Sequence, residues 1–143
     1  VKGKKIEYGE LEEICKSLYR LNCDIQVIII TVPNKIQLIN KWIEGIDLDF
    51  VVTSFKTAKI LDVAALIKQL DLIITPDTSI VHIASAFNKP IVTIHENNQD
   101  SYKLFSPISD LNMTVFSTSK NSLDGYSIDE LICYSHELMD TIS

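Results

Sequence analysis

The stretch that most constrains the fold of this chain is residues 70–94, which read LDLIITPDTSIVHIASAFNKPIVTI. Two apolar runs within it, residues 72–75 and 91–94, have the length and composition of buried strands. The polar residues 76–79 follow the first run, and apolar residues then recur at helical spacing. Their positions are Ile80, Ile83, Ala84 and Phe87. A strand, a polar turn, a helix and a second strand form the repeating unit of parallel α/β sheets, which bind ligands at such turns.

The alternation of strands and helices continues over most of the chain. Apolar residues at helical spacing predict helices within residues 6–21, 36–45, 59–70 and 127–138, and apolar runs predict strands within residues 25–32, 49–54 and 113–117. We expect the first of these strands to be buried, and we expect the polar residues 95–109 to form a long loop. The sequence therefore predicts one domain over residues 1–143, an α/β fold with a Rossmann-like parallel sheet flanked by helices.

The predicted topology brings four loops to the same edge of the sheet. Connections between parallel strands are right-handed crossovers, so the loops that lead from strands into helices all lie at one edge. The loops concerned are residues 33–35, 53–58, 76–79 and 95–97. We expect these loops to line one crevice, and we expect the function to lie there.

Charge and composition narrow the classes of function. The formal net charge is −6 and the acidic residues are dispersed, so the basic stripe that nucleic-acid binding requires is absent. No apolar run has the length of a membrane span and no signal peptide is evident, from which we expect a cytoplasmic protein. The three cysteines, Cys15, Cys23 and Cys133, are widely spaced. This spacing predicts reduced, mostly buried thiols rather than disulfides or a zinc site, and no acidic pair calls for another metal.

Residues 77–79 have two interpretations at the start of the predicted helix. In the first, Asp77 or Thr78 is a plain N-cap that accepts a hydrogen bond from an amide of the first turn. In the second, the amides of Thr78, Ser79 and Ile80 bind a phosphate at the positive end of the helix dipole. Asp77 would then face a sugar hydroxyl, because a carboxylate repels phosphate. The glycine-rich fingerprints of dinucleotide oxidoreductases and P-loop NTPases and the hydrolase nucleophile motif are absent.

Residues 66–92 resemble the signature of glycosyltransferase family 9, the heptosyltransferases of lipopolysaccharide core synthesis. In that signature an apolar strand precedes D-[ST]-G-x-x-H-x-A-A, and a short loop then leads to K/R-P and another strand. The matching residues are Asp77, Thr78, His82, Ala84, Ala86, Lys89 and Pro90. The likeness extends more loosely to Lys4 and Lys5 before an acidic helix, to residues 50–61 and to the final helix at residues 127–138.

The resemblance implies the C-terminal half of a GT-B glycosyltransferase, the half that binds the donor. In its full-length form such an enzyme transfers a sugar from a nucleotide-diphosphate sugar, here ADP-heptose, to a lipopolysaccharide core acceptor. It works without a metal or another cofactor and contacts the cytoplasmic face of the inner membrane only peripherally. The acceptor site and the catalytic base are expected in an N-terminal domain outside this chain, so we expect this chain alone to be inactive.

The resemblance also implies roles for individual residues. The amides of Thr78, Ser79 and Ile80 would hold the donor pyrophosphate, and Asp77 and His82 would contact the sugar or the phosphates. Lys4 or Lys5 would neutralise charge on the leaving nucleotide, and the loop from Phe55 to Ala58 would lie along the adenine. The chain departs from the family pattern at three positions. Ser79 replaces a glycine, residues 33–35 lack an acidic residue, and His95 with Glu96 replaces an aromatic–glycine pair.

Two other classes of protein stay open at this point. One is a different GT-B or epimerase-type enzyme that uses a UDP-sugar. The other is a non-enzymatic α/β module, flavodoxin- or receiver-like, which would need clustered acids at strand ends, where only Asp77 and Glu96 stand.

Several further side chains have simpler interpretations. Lys2, Lys4 and Lys5 can be a solvated leader, and His82 can be a packed or half-exposed histidine. His95 is expected to face the crevice, which allows a substrate contact, and His136 is expected at the surface. The aromatic residues Trp42, Tyr102 and Phe105 are expected to pack rather than to stack on a ligand.

Overall fold

Parallel strands and helices alternate along the chain in a computed structural model, which describes residues 6–54 and 59–142. The helices are α1 (Tyr8–Leu21), α2 (Ile36–Ile46), α3 (Ile60–Ile67), α4 (Ser79–Ala86), α5 (Gln99–Phe105) and α6 (Ile128–Ile142). The strands are β1 (Val27–Ile29), β2 (Val51–Thr53), β3 (Ile73–Pro76), β4 (Ile91–His95) and β5 (Asn112–Phe116). The central unit predicted from residues 70–94 is therefore present as β3, α4 and β4.

All strand pairs within the described residues are parallel, and they fall into two groups. β1 pairs with β2 in one group, and the other has the order β3–β4–β5. In the larger group Thr75 lies opposite Thr93, and Thr93 lies opposite Thr114. The predicted α/β class, with parallel strands flanked by helices, is confirmed.

Strand β4 is the centre of the core, because all five of its residues are buried. Side chains alternate between the two faces of a strand. Val92 and Ile94 pack in a cluster with residues of α1 and α6, whereas Ile91 packs with residues of α3 and α4. This alternation puts the side chain of His95 on the same face as Ile91, the face that α3 and α4 cover.

Strand β1 differs from its prediction. The apolar run predicted a buried strand within residues 25–32, but the strand covers only Val27–Ile29 and all three residues are half-buried. The reason is that β1 pairs with β2 on one side, while its residues line a large cavity on the other. After β1 a 3-10 turn, Pro33–Lys35, leads into α2. Proline suits this first turn because its missing N–H would have no intrahelical partner.

The prediction of a loop over residues 95–109 is wrong, because this segment contains α5. The helix begins after Asn98, whose side chain accepts a hydrogen bond from the amide of Ser101 at 3.2 Å. Asp100 lies in the first turn and Lys103 in the last, as the helix dipole favours. None of its seven residues is buried. Without a buried face, the apolar periodicity on which the prediction depended does not arise.

The cysteines are reduced, but the prediction that they are mostly buried is wrong. Cys15 is buried in α1, whereas Cys23 and Cys133 are exposed. Burial, with a smaller contribution from Glu12, raises the pKa of Cys15 from 9.0 to about 11. Over the described residues, no group of three or more histidine, cysteine or acidic side chains is arranged to hold a metal ion. The helices seen in the same residues are too short or too polar to cross a membrane.

Candidate functional site

The turn between β3 and α4 is built by a short network of hydroxyl groups. The Thr78 backbone is extended (φ −140°, ψ 179°), and its side-chain oxygen accepts a hydrogen bond from the amide of Ile80 at 3.3 Å. The buried hydroxyl of Thr75 lies 3.3 Å from the same oxygen. Thr78 is therefore the N-cap of α4, which decides between the two capping residues that the sequence allowed.

Two of the three amides predicted to bind phosphate are not used by the turn itself. The amide of Ile80 donates to Thr78, but the amides of Thr78 and Ser79 make no hydrogen bond within residues 6–54 and 59–142. Ser79 is the first residue of α4 and is exposed. Unpaired N–H groups at the positive end of a helix favour an anion. This end of α4 can therefore accept an oxyanion.

Asp77 is held between the ends of β3 and β4 rather than at the cap. Its amide donates to the carbonyl of Ile94 at 2.9 Å. Its carboxylate oxygen Oδ2 lies 3.2 Å from Nε2 of His95, and the Asp77 side chain is 11% exposed. The two side chains are therefore in contact. The approach is oblique, because Nε2 has no partner with hydrogen-bond geometry among the described residues.

His95 is an interior residue, so the prediction that it faces the crevice, where a substrate contact was allowed, is wrong. It is 0% exposed, since the last residue of β4 points to the covered face of the sheet. Its Nδ1 lies 2.8 Å from the carbonyl oxygen of Glu96. Its ring meets Tyr102 and Phe116 edge-on, with centroid distances of 5.2 and 6.3 Å. The ring is thus enclosed by aromatic side chains and one carboxylate.

His82 lies one turn into α4 and is exposed. It is three residues from Ser79, so the two side chains lie on neighbouring positions of the helix surface. Its ring meets Phe105 of α5 edge-on at 6.3 Å. His82 therefore stands near the first turn of α4 without being buried by the fold.

A cavity of about 1450 Å³ adjoins the turn. Thr78, Ser79 and Ile80 line it together with Pro33 and Lys35 from the 3-10 turn. The predicted crevice thus combines the loops at residues 33–35 and 76–79. Residues 53–54 and 95–97 are not among the described residues that line this cavity, and their part of the predicted crevice stays a prediction. The residues after β4 instead lead into α5, and His95, the last residue of β4, is interior.

The remaining predicted site residues, Lys4, Lys5, Phe55 and Ala58, lie outside the described residues. Two described residues belong to the site although the sequence did not single out their roles. Lys35 places a cation beside the cavity. In the sequence, Lys35 was marked only by its place in residues 33–35, one of the loops predicted at the same edge of the sheet as residues 76–79. His95 contacts Asp77. In the sequence, His95 was marked only by its place at the end of the strand that follows the one before Asp77.

The chain matches the family model of Glycosyltransferase family 9 (heptosyltransferase) over residues 25–129. No curated protein matches the chain. Several solved structures match the chain. The ADP-heptose lps heptosyltransferase II of E. coli is 18% identical with a TM-score of 0.76, and the match covers 97% of this chain and 43% of that one.

Two further structures have the same fold. E. coli heptosyltransferase WaaC with ADP is 16% identical with a TM-score of 0.77, over 96% of this chain and 41% of that one. The glycosyl transferase family 9 protein of Veillonella parvula DSM 2008 is 14% identical with a TM-score of 0.77, over 99% and 43%. The chain therefore spans less than half the length of these proteins.

Proposed function

Since the chain belongs to glycosyltransferase family 9 (heptosyltransferase), we propose that it binds the nucleotide-diphosphate sugar donor of a glycosyltransferase. The proposed donor is ADP-heptose. This choice is supported by E. coli WaaC, which has been solved with ADP and with ADP-2-deoxy-2-fluoro heptose. The proposed acceptor is a lipopolysaccharide core at the cytoplasmic face of the inner membrane. In this proposal a further domain supplies the acceptor site and the catalytic base.

The observation that carries the proposal is the pair of unused amides at the first turn of α4. The amides of Thr78 and Ser79 make no hydrogen bond among the described residues, and both residues line the large cavity. A diphosphate placed there gains two N–H donors and the positive end of the helix dipole. Lys35 lines the same cavity and adds a positive charge. The site thus suits an anion without needing a metal.

The chemistry follows from where charge develops during transfer. When the sugar–oxygen bond breaks, negative charge grows on the diphosphate of the leaving nucleotide. Fixed amide donors that already point at that charge lower the barrier, because they need no reorganisation at the moment of reaction. In the proposal Asp77 and His82 contact the sugar or the phosphates. Lys4, Lys5 and the segment from Phe55 to Ala58 contact the phosphates and the adenine.

Replacement of Ser79 tests the amide site directly. Ser79→Pro removes one N–H, while proline is favoured at the first position of a helix. The extended backbone of Thr78 is also compatible with a following proline. We expect Ser79→Pro to weaken ADP binding roughly tenfold or more, as the loss of one hydrogen bond to a charged group predicts. The matched control, Ser79→Ala, keeps the amide and should bind ADP as the parent chain does.

Isothermal titration calorimetry of the chain with ADP, ADP-heptose, UDP-glucose and adenosine gives the readout. The proposal expects binding of ADP and ADP-heptose, weaker binding of UDP-glucose, and equal adenosine affinity in Ser79→Pro and Ser79→Ala. Preference for the uridine nucleotide would instead identify a UDP-sugar enzyme. Absence of binding to any of these nucleotides would contradict a donor site and favour a non-enzymatic module.

A further inference from the structure

We propose that the cavity between β1 and β3 binds a further parallel strand, supplied by a segment of polypeptide on the amino-terminal side of α1. Among the described residues the strands form one group of two and one of three, and β1 does not pair with β3. Residues of both strands line the same cavity. The inference goes beyond the proposed function, which concerns only the mouth of this cavity at residues 76–79.

The hydrogen bonds of β1 show which of its backbone groups face the cavity. The amide of Val27 donates to the carbonyl of Phe50 at 2.8 Å. The carbonyl of Ile29 accepts from the amide of Ser54 at 3.0 Å. In a parallel ladder the N–H and C=O of every second residue point to the same neighbouring strand. Val27 and Ile29 therefore face β2, and the N–H and C=O of Ile28 point into the cavity.

Strand β3 presents a matching edge from the opposite wall of the cavity. The amide of Ile73 donates to the carbonyl of Pro90 at 3.0 Å. The amide of Asp77 donates to the carbonyl of Ile94 at 2.9 Å. Every second residue thus faces β4, and the N–H and C=O of Ile74 point into the cavity. Open edges of apolar strands pair readily with other strands, and one strand placed between β1 and β3 satisfies both edges.

Helices cover the cavity on both faces of the sheet, as they cover a central strand. α1 and α6 pack on the face of Val92 and Ile94, whereas α3 and α4 pack on the face of Ile91. Parallel strands that are covered on both faces are nearly continuous apolar runs. The occupant is therefore a short segment rich in valine, isoleucine or leucine. All four helices contribute apolar side chains to the lining: Leu11, Ile14, Leu18, Val63, Ile80 and Met139.

The position of α1 indicates where the added strand lies along the polypeptide. The connection from β3 to β4 runs through α4, on the face of Ile91. A connection in the opposite direction across the sheet, from the cavity to β1, is right-handed only if its helix lies on the other face. α1 lies on that face and leads into β1. With the added strand first, the strand order becomes 3-2-1-4-5-6, the doubly wound order that binds ligands where it reverses.

Two local features agree with an added strand. The residues of β1 are half-buried, whereas all residues of β4, which has a strand on each side, are buried. A strand in the cavity would bury β1 in the same way. Pro76 lies two residues after Ile74 and faces the same side, but proline has no N–H to donate. Pairing on this side of β3 therefore ends at Pro76, and the mouth at residues 76–79 stays open for a ligand.

Amide hydrogen exchange on an extended chain tests the inference residue by residue. The extension places the sequence Val-Ile-Val-Ile-Val directly before Val1, so that residues 1–7 connect it to α1. The matched control extension is Val-Ile-Pro-Ile-Val, because a central strand does not accept proline. We expect exchange at the amides of Ile28 and Ile74 to slow roughly tenfold or more with the first extension only, as one new hydrogen bond at each amide predicts.

Other amides of the same strands serve as internal controls. Val27 and Ile73 already donate to neighbouring segments, and Thr53 and Thr114 face outward at the outer edges of β2 and β5. All four amides should exchange at the rate of the parent chain. If circular dichroism shows that the extended chain does not fold, the same five residues, with a lysine at each end, are added to the parent chain as a free peptide.

Three results would overturn the inference. The first is equal exchange at Ile28 and Ile74 with both extensions and with the free peptide. The second is slower exchange at Thr53 or Thr114, which would show pairing at an outer edge. The third is slow exchange at Ile28 and Ile74 in an unextended chain that sedimentation shows to be a dimer, because a second copy would then occupy the cavity. Failure of the proposed function is a separate outcome, since exchange is measured without any nucleotide.

Discussion

At the scale of single residues, the side chain and the backbone amide of Thr78 have different surroundings. Its hydroxyl caps α4 by accepting from the Ile80 amide, and its own amide makes no hydrogen bond among the described residues. The sequence predicted both interpretations as alternatives. The structure shows that they are compatible, because the cap uses one N–H of the first turn and leaves two for a ligand.

Substitution of Thr78 should separate the cap from the rest of the turn. Thr78→Ala removes the oxygen that accepts from Ile80, so we expect the free energy of unfolding to fall by about 1 kcal/mol. Thr78→Ser keeps a hydroxyl at the same position, so its free energy of unfolding should fall by only a small part of that amount. Urea denaturation of both variants measures the difference. Equal stability of the alanine and serine variants would show that the 3.3 Å bond contributes nothing.

Cys15 makes the free energy of unfolding depend on pH in the alkaline range. Burial raises its pKa from 9.0 to about 11, so the folded state favours the neutral thiol. The resulting stability is fully present below pH 9 and is lost as the pH rises through 11. A rise of about two units corresponds to roughly 3 kcal/mol at most.

Cys15→Ala provides the comparison, because alanine does not titrate. We expect the free energy of unfolding to fall less steeply between pH 9 and 11 in Cys15→Ala than in the parent chain. Burial and the nearby Glu10 carboxylate also raise the pKa of Tyr126, and this effect is common to both chains. Urea denaturation across that range gives the slopes, and identical slopes would contradict the role of Cys15.

At the scale of elements, predictability depended on whether an element has a buried face. Helix α1 buries Ile14, Cys15 and Leu18, and α6 buries Leu131, Ser135 and Leu138. The spacing of these residues made both helices predictable. Helix α5 buries none of its residues, and apolar spacing therefore could not reveal it. Asn98 at its start was the available signal, since asparagine is a favoured N-cap.

The cap of α5 can be tested by its local effect. Asn98→Ala removes the oxygen that accepts from the amide of Ser101, and we expect faster hydrogen exchange at the amides of Ser101 and Tyr102. Global stability should change by about 1 kcal/mol or less, because α5 has no buried face to lose. Asn98→Asp keeps an acceptor and should exchange at nearly the parent rate. Unchanged exchange in the alanine variant would show that the helix does not depend on this cap.

At the scale of the whole molecule, α6 joins the two ends of the described chain through one core. Leu131 is 0% exposed and belongs to the cluster that contains Ile14 of α1 and Val92 and Ile94 of β4. The helix closest to the carboxyl end thus packs on the first helix and on the central strand. Cooperative folding of the chain should therefore depend on this contact.

Truncation of Leu131 should cost much more than truncation of an exposed leucine. We expect Leu131→Ala to lower the free energy of unfolding by about 2–5 kcal/mol, because it leaves a cavity in a closed core. The matched control is Leu104→Ala, at a residue 76% exposed, which should change stability by roughly 0.5 kcal/mol or less. Chemical denaturation compares the two, and similar losses would mean that the cluster is not the core of the molecule.

The sequence by itself determined the parallel α/β class, the central unit around residues 76–79 and the family to which the chain belongs. These depend on local features: apolar periodicity, a capping residue, and a motif within about 27 residues of chain. Only the tertiary structure decided that Lys35 lines the same cavity as Thr78 and that His95 pairs with Asp77. Those residues are distant in sequence, and no short-range pattern encodes which of them meet. The polar turn at residues 76–79 therefore shares a cavity with Lys35 and contacts His95 only because strand pairing brings these residues together.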